Sequence, residues 1–274
     1  MKYNEMIGFG VAGNFAGHLE QANEAADFKK IEVSDEIQPK AIFPFYLPNL
    51  SESFLSVFPL ASTQLKMPET SYDVQIEPEV AIICDIHYSG DEVESITPKL
   101  FGAYNDCSIR RPDAKKISEK KNWGEKSKGI SKDLIEIDSF SEGGILDHFK
   151  IASFHIKDNS VHMYGEDSDV LSYSYFHGKL LDWIVEKMNL QQDVGPAENI
   201  NEYLLKCNKP TECIISIGAT RYTEYGEHNF LSVGDTSVVV VYDKRVYSFS
   251  EISKKVQARD FTGEDLSFLV QEVI

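Results

Sequence analysis

Strand-like alternation and short buried runs dominate the chain, and helical spacing is confined to a few stretches. Residues 79–88, EVAIICDIHY, predict a strand. SGDE after them is a turn, and LFGAYNDCSI reads as a second strand ending in polar residues. Residues 134–163 alternate as short strands, with KDN as a hairpin turn before SVHMYG. CIISIGA and SVVVVYD are continuous apolar runs of the kind that make a buried strand. Near the start, IGFGVAG (7–13) reads as a glycine-rich strand and turn, followed by a helix over 14–28 with Asn14 as its N-cap. Residues 168–188 carry helical spacing, with Leu180, Leu181, Ile184, Val185 and Met188 as the apolar stripe. Residues 31–72 are rich in proline and serine, and 112–132 read as charged loop or irregular helix. The sum is a mostly β, α+β fold with a few helices, in one domain over 1–274.

Composition narrows the partners more than the fold. A net charge of −17 argues against nucleic acid or an anionic membrane as partner. No apolar run is long enough to span a membrane, and the first ten residues lack the basic and apolar regions of a signal peptide. Cys84, Cys107, Cys207 and Cys213 lack zinc-type spacing and read as buried free thiols, so the expected location is cytoplasmic. Positive charge concentrates in residues 110–132, which composition alone would make a solvated loop or helix face. The Gly-x-Gly at 8–10 lacks the rest of a dinucleotide fingerprint.

Candidate chemistry begins at QIEPEVAII (75–83). In an extended chain positions i and i+2 point the same way, so Glu77 and Glu79 share a face with Ala81, while Val80 and Ile82 take the other. Pro78 suits a strand start, an edge or a bulge. One reading is a charged, solvated strand start. The other is a metal site, because two carboxylates forced together stay ionised only with a cation between them. The first reading puts Glu77 far from Asp106, a third carboxylate at the end of the next strand; the second brings them together.

Further segments stand in order along the chain: GNFAGH (13–18), EPEVAII (77–83), NDCSIR (105–110), WGEKS (123–127), IGAT (217–220) and LSVGD (231–235). In order and spacing they resemble the landmarks of the fumarylacetoacetate hydrolase superfamily. The resemblance implies a mixed β-sandwich or β-roll, usually a homodimer, with Mg2+ or Mn2+ (Ca2+ also admissible) held by Glu77, Glu79 and Asp106. It implies hydrolysis or decarboxylation of a small anionic 2-oxo acid or β-dicarbonyl compound through a metal-stabilised enolate. An isomerase or tautomerase, or a catalytically degraded metal-binding scaffold, is the alternative. In these roles His18 is the general base, Lys126 (or Lys128) a second positive group, Arg110 a clamp for a substrate carboxylate, and Thr220 a hydroxyl donor.

The departures from the family pattern fall on the pocket. Gln21 stands where hydrolase members carry a glutamate three residues after the histidine, and neither Glu20 nor Glu24 is an obvious substitute on a helix. Glu125 replaces a glycine beside the lysine, Ala219 and Thr220 replace a threonine and a proline, and Arg111 replaces an aspartate.

Overall fold

The structure is a computed structural model that describes every residue except 1, 23, 25–27, 29–30, 32–34 and 36. One sheet contains β1 (Ile7–Ala12), β2 (Ala41–Tyr46), β3 (Leu60–Ala61), β6 (Pro78–Ser89), β7 (Glu92–Asn105), β9 (Lys128–Ile130), β10 (Ile135–Glu136) and β13 (Glu212–Ser216). A second holds β4 (Gln64–Leu65), β11 (Phe149–Lys157), β12 (Ser160–Asp169), β14 (Thr236–Asp243) and β15 (Leu266–Val273), and β5 (Val74–Gln75) pairs with β8 (Ser108–Ile109). The helices are short: α1 (His18–Gln21), α2 (Ser118–Lys121), α3 (His177–Leu190), α4 (Ile200–Lys206), α5 (Glu224–His228) and α6 (Phe249–Gln257). The expected fold class, mixed sheets with few helices, is the one observed. None of these helices is long and apolar enough to cross a membrane.

Alternation along β6 and β7 builds the layers. Val80, Ile82, Phe101 and Ala103 face Phe149, Ile151, Val239 and Leu269 of the second sheet in the main core. Ala81, Ile83 and Tyr104 point the other way, into a smaller cluster with Phe45 and Ile214. The outer face of the second sheet packs Phe154, Val238 and Val240 against Ile252 and Val256 of α6. Gly90 at +63° turns β6 into β7, and Asp158 and Asn159, both left-handed, close the KDN hairpin as a two-residue turn requires. All four cysteines are buried and free.

The glycine-rich β1 has a packing reason. A Cβ at Gly8 or Gly10 would lie 2.3 Å from the ring of Phe45 or Phe43 on the neighbouring β2. The missing side chains let those two rings lie flat on β1, and the rings in turn face two buried lysines described below.

Two helix expectations change. The helix expected over 14–28 is only α1, capped by Gly17 at +82° and not by Asn14; residues 23 and 25–27 lie outside the described residues. Asn14 is buried, and its amide group bonds the backbone of Tyr175 and Ile217, which excludes a capping role. The helix expected over 168–188 starts only at His177, because Ser168 and Asp169 complete the β11–β12 ladder. Its stripe packs as expected, with Leu180, Ile184 and Met188 in the core and Leu181 and Val185 half-buried against it.

Helix α2 is docked by a buried hydrogen bond from the Ser118 hydroxyl to Glu198 Oε1, 2.9 Å. Burial pushes the Glu198 carboxyl up to about 7, against the opposing pull of that bond and of Lys116. A carboxyl raised in the folded state contributes stability that is present in acid and lost as pH rises through about 7. A Glu198→Gln variant is therefore expected to melt with wild type near pH 5 and a few degrees above it at pH 8, as followed by circular dichroism.

Candidate metal centre

Sheet topology gathers one end of four strands. β1 and β13 run parallel, β6 runs antiparallel to β13 and to β7, so the starts of β6 and the ends of β1, β13 and β7 meet. Glu77 and Glu79 flank the first residue of β6, Asn105 and Asp106 end β7, Gly218 follows β13, and His18 follows β1. The hydrogen bonds tie these pieces together. Asp106 N–H donates to the Glu77 carbonyl at 2.9 Å, and Glu77 N–H donates to Asn105 Oδ1 at 3.1 Å. The Asn105 amide is anchored on Ser237 and Gln271 of the second sheet. Gly218 N–H donates to Glu79 Oε2 at 2.9 Å, from a residue at φ +120° where a Cβ would stand 3.0 Å from that of Asn14.

The result is a fully buried triad: ligand oxygens of Glu77, Glu79 and Asp106 lie within 4.8 Å of one another. A charged strand start with Glu77 and Asp106 far apart is thereby excluded. Counter-charge comes from the basic block, which is not wholly solvated as composition suggested. Lys121, 3% exposed, lies 2.7 Å from Asp106 Oδ2 and pairs closely with Glu77 Oε2. Lys128 is completely buried, and its ammonium donates to Asp106 Oδ1 at 2.6 Å and to the carbonyls of Asp106 and Cys107. Phe43 and Phe45 lie 5.5 and 5.9 Å from the two ammonium groups, within cation–π range.

These charges set the protonation states. Burial alone would raise the Glu77 carboxyl, but Lys121 and Arg110 outweigh it and bring it down to about 2. Burial, with Asp106 and Glu77 nearby, drives Glu79 well above the usual carboxylate range. Burial would lower Lys121, yet Asp106 and Glu77 hold it above the usual lysine range. Among the described residues, Glu77 Oε1 and Asp106 Oδ2 find no hydrogen-bond donor; the Lys121 contact to the latter is an ion pair without hydrogen-bond geometry. Three buried carboxylates, two of them with an oxygen that lacks a hydrogen bond among the described residues and one raised by burial beside the other two, fit a divalent cation of the Mg2+ or Mn2+ type.

Around the triad the expected residues fall into two groups. His18 is buried, and its Nδ1 donates to the Thr220 carbonyl at 2.9 Å, which leaves Nε2 as the unprotonated nitrogen. Burial lowers its pKa, so the ring is neutral at neutral pH. His18, Glu77, Glu79, Asp106 and Lys121 line one cavity of ≈ 20 Å³, room for about one water. Arg110 reaches the triad with Nη2 3.4 Å from Glu77 Oε1, but its nitrogens already have partners in Gln75, Glu24 and Tyr222. Thr220 offers His18 its carbonyl, while its buried hydroxyl has no hydrogen-bond partner among the described residues. Lys126 stands apart: a residue at φ +58°, it turns its ammonium to Gln64 Oε1 at 2.7 Å, and the lysine of that segment in the cluster is Lys128.

Three residues to which the sequence gave no role in the site, Glu24, Gln21 and Lys121, also bear on it. Glu24 is buried just beyond the end of α1 at Gln21; its N–H donates to the Leu19 carbonyl at 2.9 Å and its carboxylate accepts from Arg110 at 3.0 Å. Gln21 pairs its amide with the backbone of Tyr222 in both directions, so it orients that loop and not the His18 ring. Lys121 sits in a run of four lysines within seven residues, and only burial distinguishes it.

A family model described as a family of unknown function (DUF5718) matches residues 24–273. The chain belongs to this family. Comparison with curated proteins finds no match. Among solved structures, this DUF5718 chain shares its fold with a protein of Oleispira antarctica provisionally described as a fumarylacetoacetate isomerase/hydrolase. That pair has TM-score 0.55 and 13% identity, covering 98% of this chain and 93% of the other. It likewise resembles a 5-carboxymethyl-2-hydroxymuconate delta-isomerase from Mycobacterium smegmatis, with TM-score 0.52, 15% identity and coverage of 98% and 78%. A 2-keto-3-deoxyarabinonate dehydratase matches with TM-score 0.51 and 13% identity over 97% and 72%. At such identities the likeness is one of fold.

Asn105 is the bond on which the Glu77 backbone depends. Asn105→Ala would leave the buried Glu77 N–H without an acceptor and is expected to cost about 1–3 kcal/mol in urea unfolding, with the m-value unchanged.

Proposed function

We propose that this DUF5718 protein is a divalent-metal-dependent enzyme of fumarylacetoacetate hydrolase type, acting on a small anionic 2-oxo acid or β-dicarbonyl compound as a hydrolase or decarboxylase. The observation that carries the reading is the buried Glu77–Glu79–Asp106 triad with a neutral histidine on the same cavity. When bound, Mg2+ or Mn2+ supplies a Lewis acid for the negative charge that develops on a substrate oxygen. Glu77, Glu79 and Asp106 would hold it, and Lys128 fixes the Asp106 carboxylate. His18 Nε2 would take the proton, since Nδ1 is held on the Thr220 carbonyl and the residue lines the triad cavity. Arg110 acts as a positioning residue between Glu77 and Glu24. A wider cavity of ≈ 460 Å³, lined by Gln21, Glu24, Gln75, Arg110, Arg111 and Lys120, adjoins through Glu24 and has room for the body of a small substrate.

A second reading, an isomerase or tautomerase, is favoured by one observation. Among the described residues no carboxylate hydrogen-bonds the His18 ring, since Gln21 is spent on Tyr222 and Nδ1 on a backbone carbonyl. Proton transfer on carbon needs no activated water, so this weaker base suffices for it. Uptake of solvent deuterium by a 2-oxo acid without loss of carbon would select this reading.

The metal site is tested by thermal unfolding in Mn2+, with and without oxalate, a planar chelating mimic of an enolate. Wild type is expected to gain stability with Mn2+ and to gain more from oxalate only when Mn2+ is present; Glu79→Gln is expected to lose both responses. No shift of wild type by Mn2+ would remove the reading.

A further inference from the structure

Lys121 differs from the other cations of the cluster in what it touches. Lys128 spends its three N–H groups on Asp106 Oδ1 and the carbonyls of Asp106 and Cys107. Arg110 spreads its contacts over Gln75, Glu24, Tyr222 and Glu77. Lys121 alone bridges two of the three candidate ligand residues, at Glu77 Oε2 and Asp106 Oδ2. It is also held in place from both sides. Ser118, three residues before it, is bonded to Glu198, and the amide of Asn122, the residue after it, donates to the carbonyls of Phe45 and Val57.

The space and the charge leave no room for a second cation beside it. The cavity it shares with the triad has ≈ 20 Å³ free. Glu77 and Asp106 already face three cations, Lys121, Lys128 and Arg110. A dication at bonding distance from Glu77 and Asp106 would stand within a few ångströms of an ammonium in a buried site, where like charges repel far more than in water.

Resting on the metal-site reading above, we propose that Lys121 is a tethered counter-ion that offsets the charge of Glu77 and Asp106 and keeps the site closed, and that a divalent metal ion binds only by displacing its ammonium from these two carboxylates. The intrinsic affinity of the three carboxylates is therefore masked, and the lysine is a determinant of metal affinity without being a ligand.

The test is Mn2+ binding by calorimetry and electron paramagnetic resonance to wild type and Lys121→Met, with thermal unfolding in EDTA and in Mn2+. The variant is expected to bind Mn2+ on the order of tenfold tighter or better. It should melt below wild type in EDTA and recover more stability than wild type when Mn2+ is added. Equal or weaker binding by the variant, with wild type binding normally, overturns the proposal and leaves the metal site standing. Absence of Mn2+ binding to both overturns the two together. Should the variant fail to fold, NMR of the slowly exchanging lysine ammonium groups in wild type decides. Saturating Mg2+, with binding confirmed by calorimetry, is expected to shift the Lys121 signal and spare that of Lys128; an unmoved Lys121 signal overturns the proposal.

Discussion

Three carboxylates crowded into a buried interior are the constraint around which this end of the molecule is organised. Burying one charge without a partner is expensive, and removing one member of a buried pair typically costs about 3–5 kcal/mol. Glu77, Glu79 and Asp106 are tolerated because Lys121, Lys128 and Arg110 surround them and backbone N–H groups hold them. Glu77 and Glu79 are driven in opposite directions by this environment, one kept ionised by its cations, the other pushed toward the protonated form. Two chemically identical side chains, two residues apart, are thus made unlike.

The sheets exist in part to make that crowding precise. Antiparallel register places Pro78 opposite Asn105, and Asn105 reaches across to the second sheet through Ser237 and Gln271. A shift of one residue would turn Glu79 away from the cavity and bring an apolar neighbour of the main core into it. The aromatic rings of β2 are seated by the glycines of β1 and lie over the buried lysines, so even the glycine-rich start of the chain serves the charge cluster.

Departures from the superfamily pattern have structural consequences in the same place. Gln21 becomes a backbone clamp on Tyr222, and Glu24, not an obvious partner for His18 on a helix, supplies its carboxylate to Arg110. The acid lies against the arginine and not on the histidine ring, so the surroundings of His18 differ from those of a carboxylate-oriented base.

The sequence by itself determined the strand content, the β6 alternation and the KDN turn, because each is written in local periodicity or turn chemistry; it left open whether Glu77 and Glu79 meet Asp106. It marked the apolar stripe of α3 but placed the start too early, since strand pairing of Ser168 and Asp169 prevails over helical spacing. What only the tertiary structure decided is the identity of the counter-ions. Residues 115–128 offer six lysines of equal composition, and nothing local separates Lys121 and Lys128 from Lys126. The distinction comes from chain segments distant in sequence: β2 provides the rings, β6 and β7 the carboxylates, and the Glu198 and Phe45 contacts fix α2. A lysine is buried where opposite charge awaits it, and that charge is assembled only when the sheet closes.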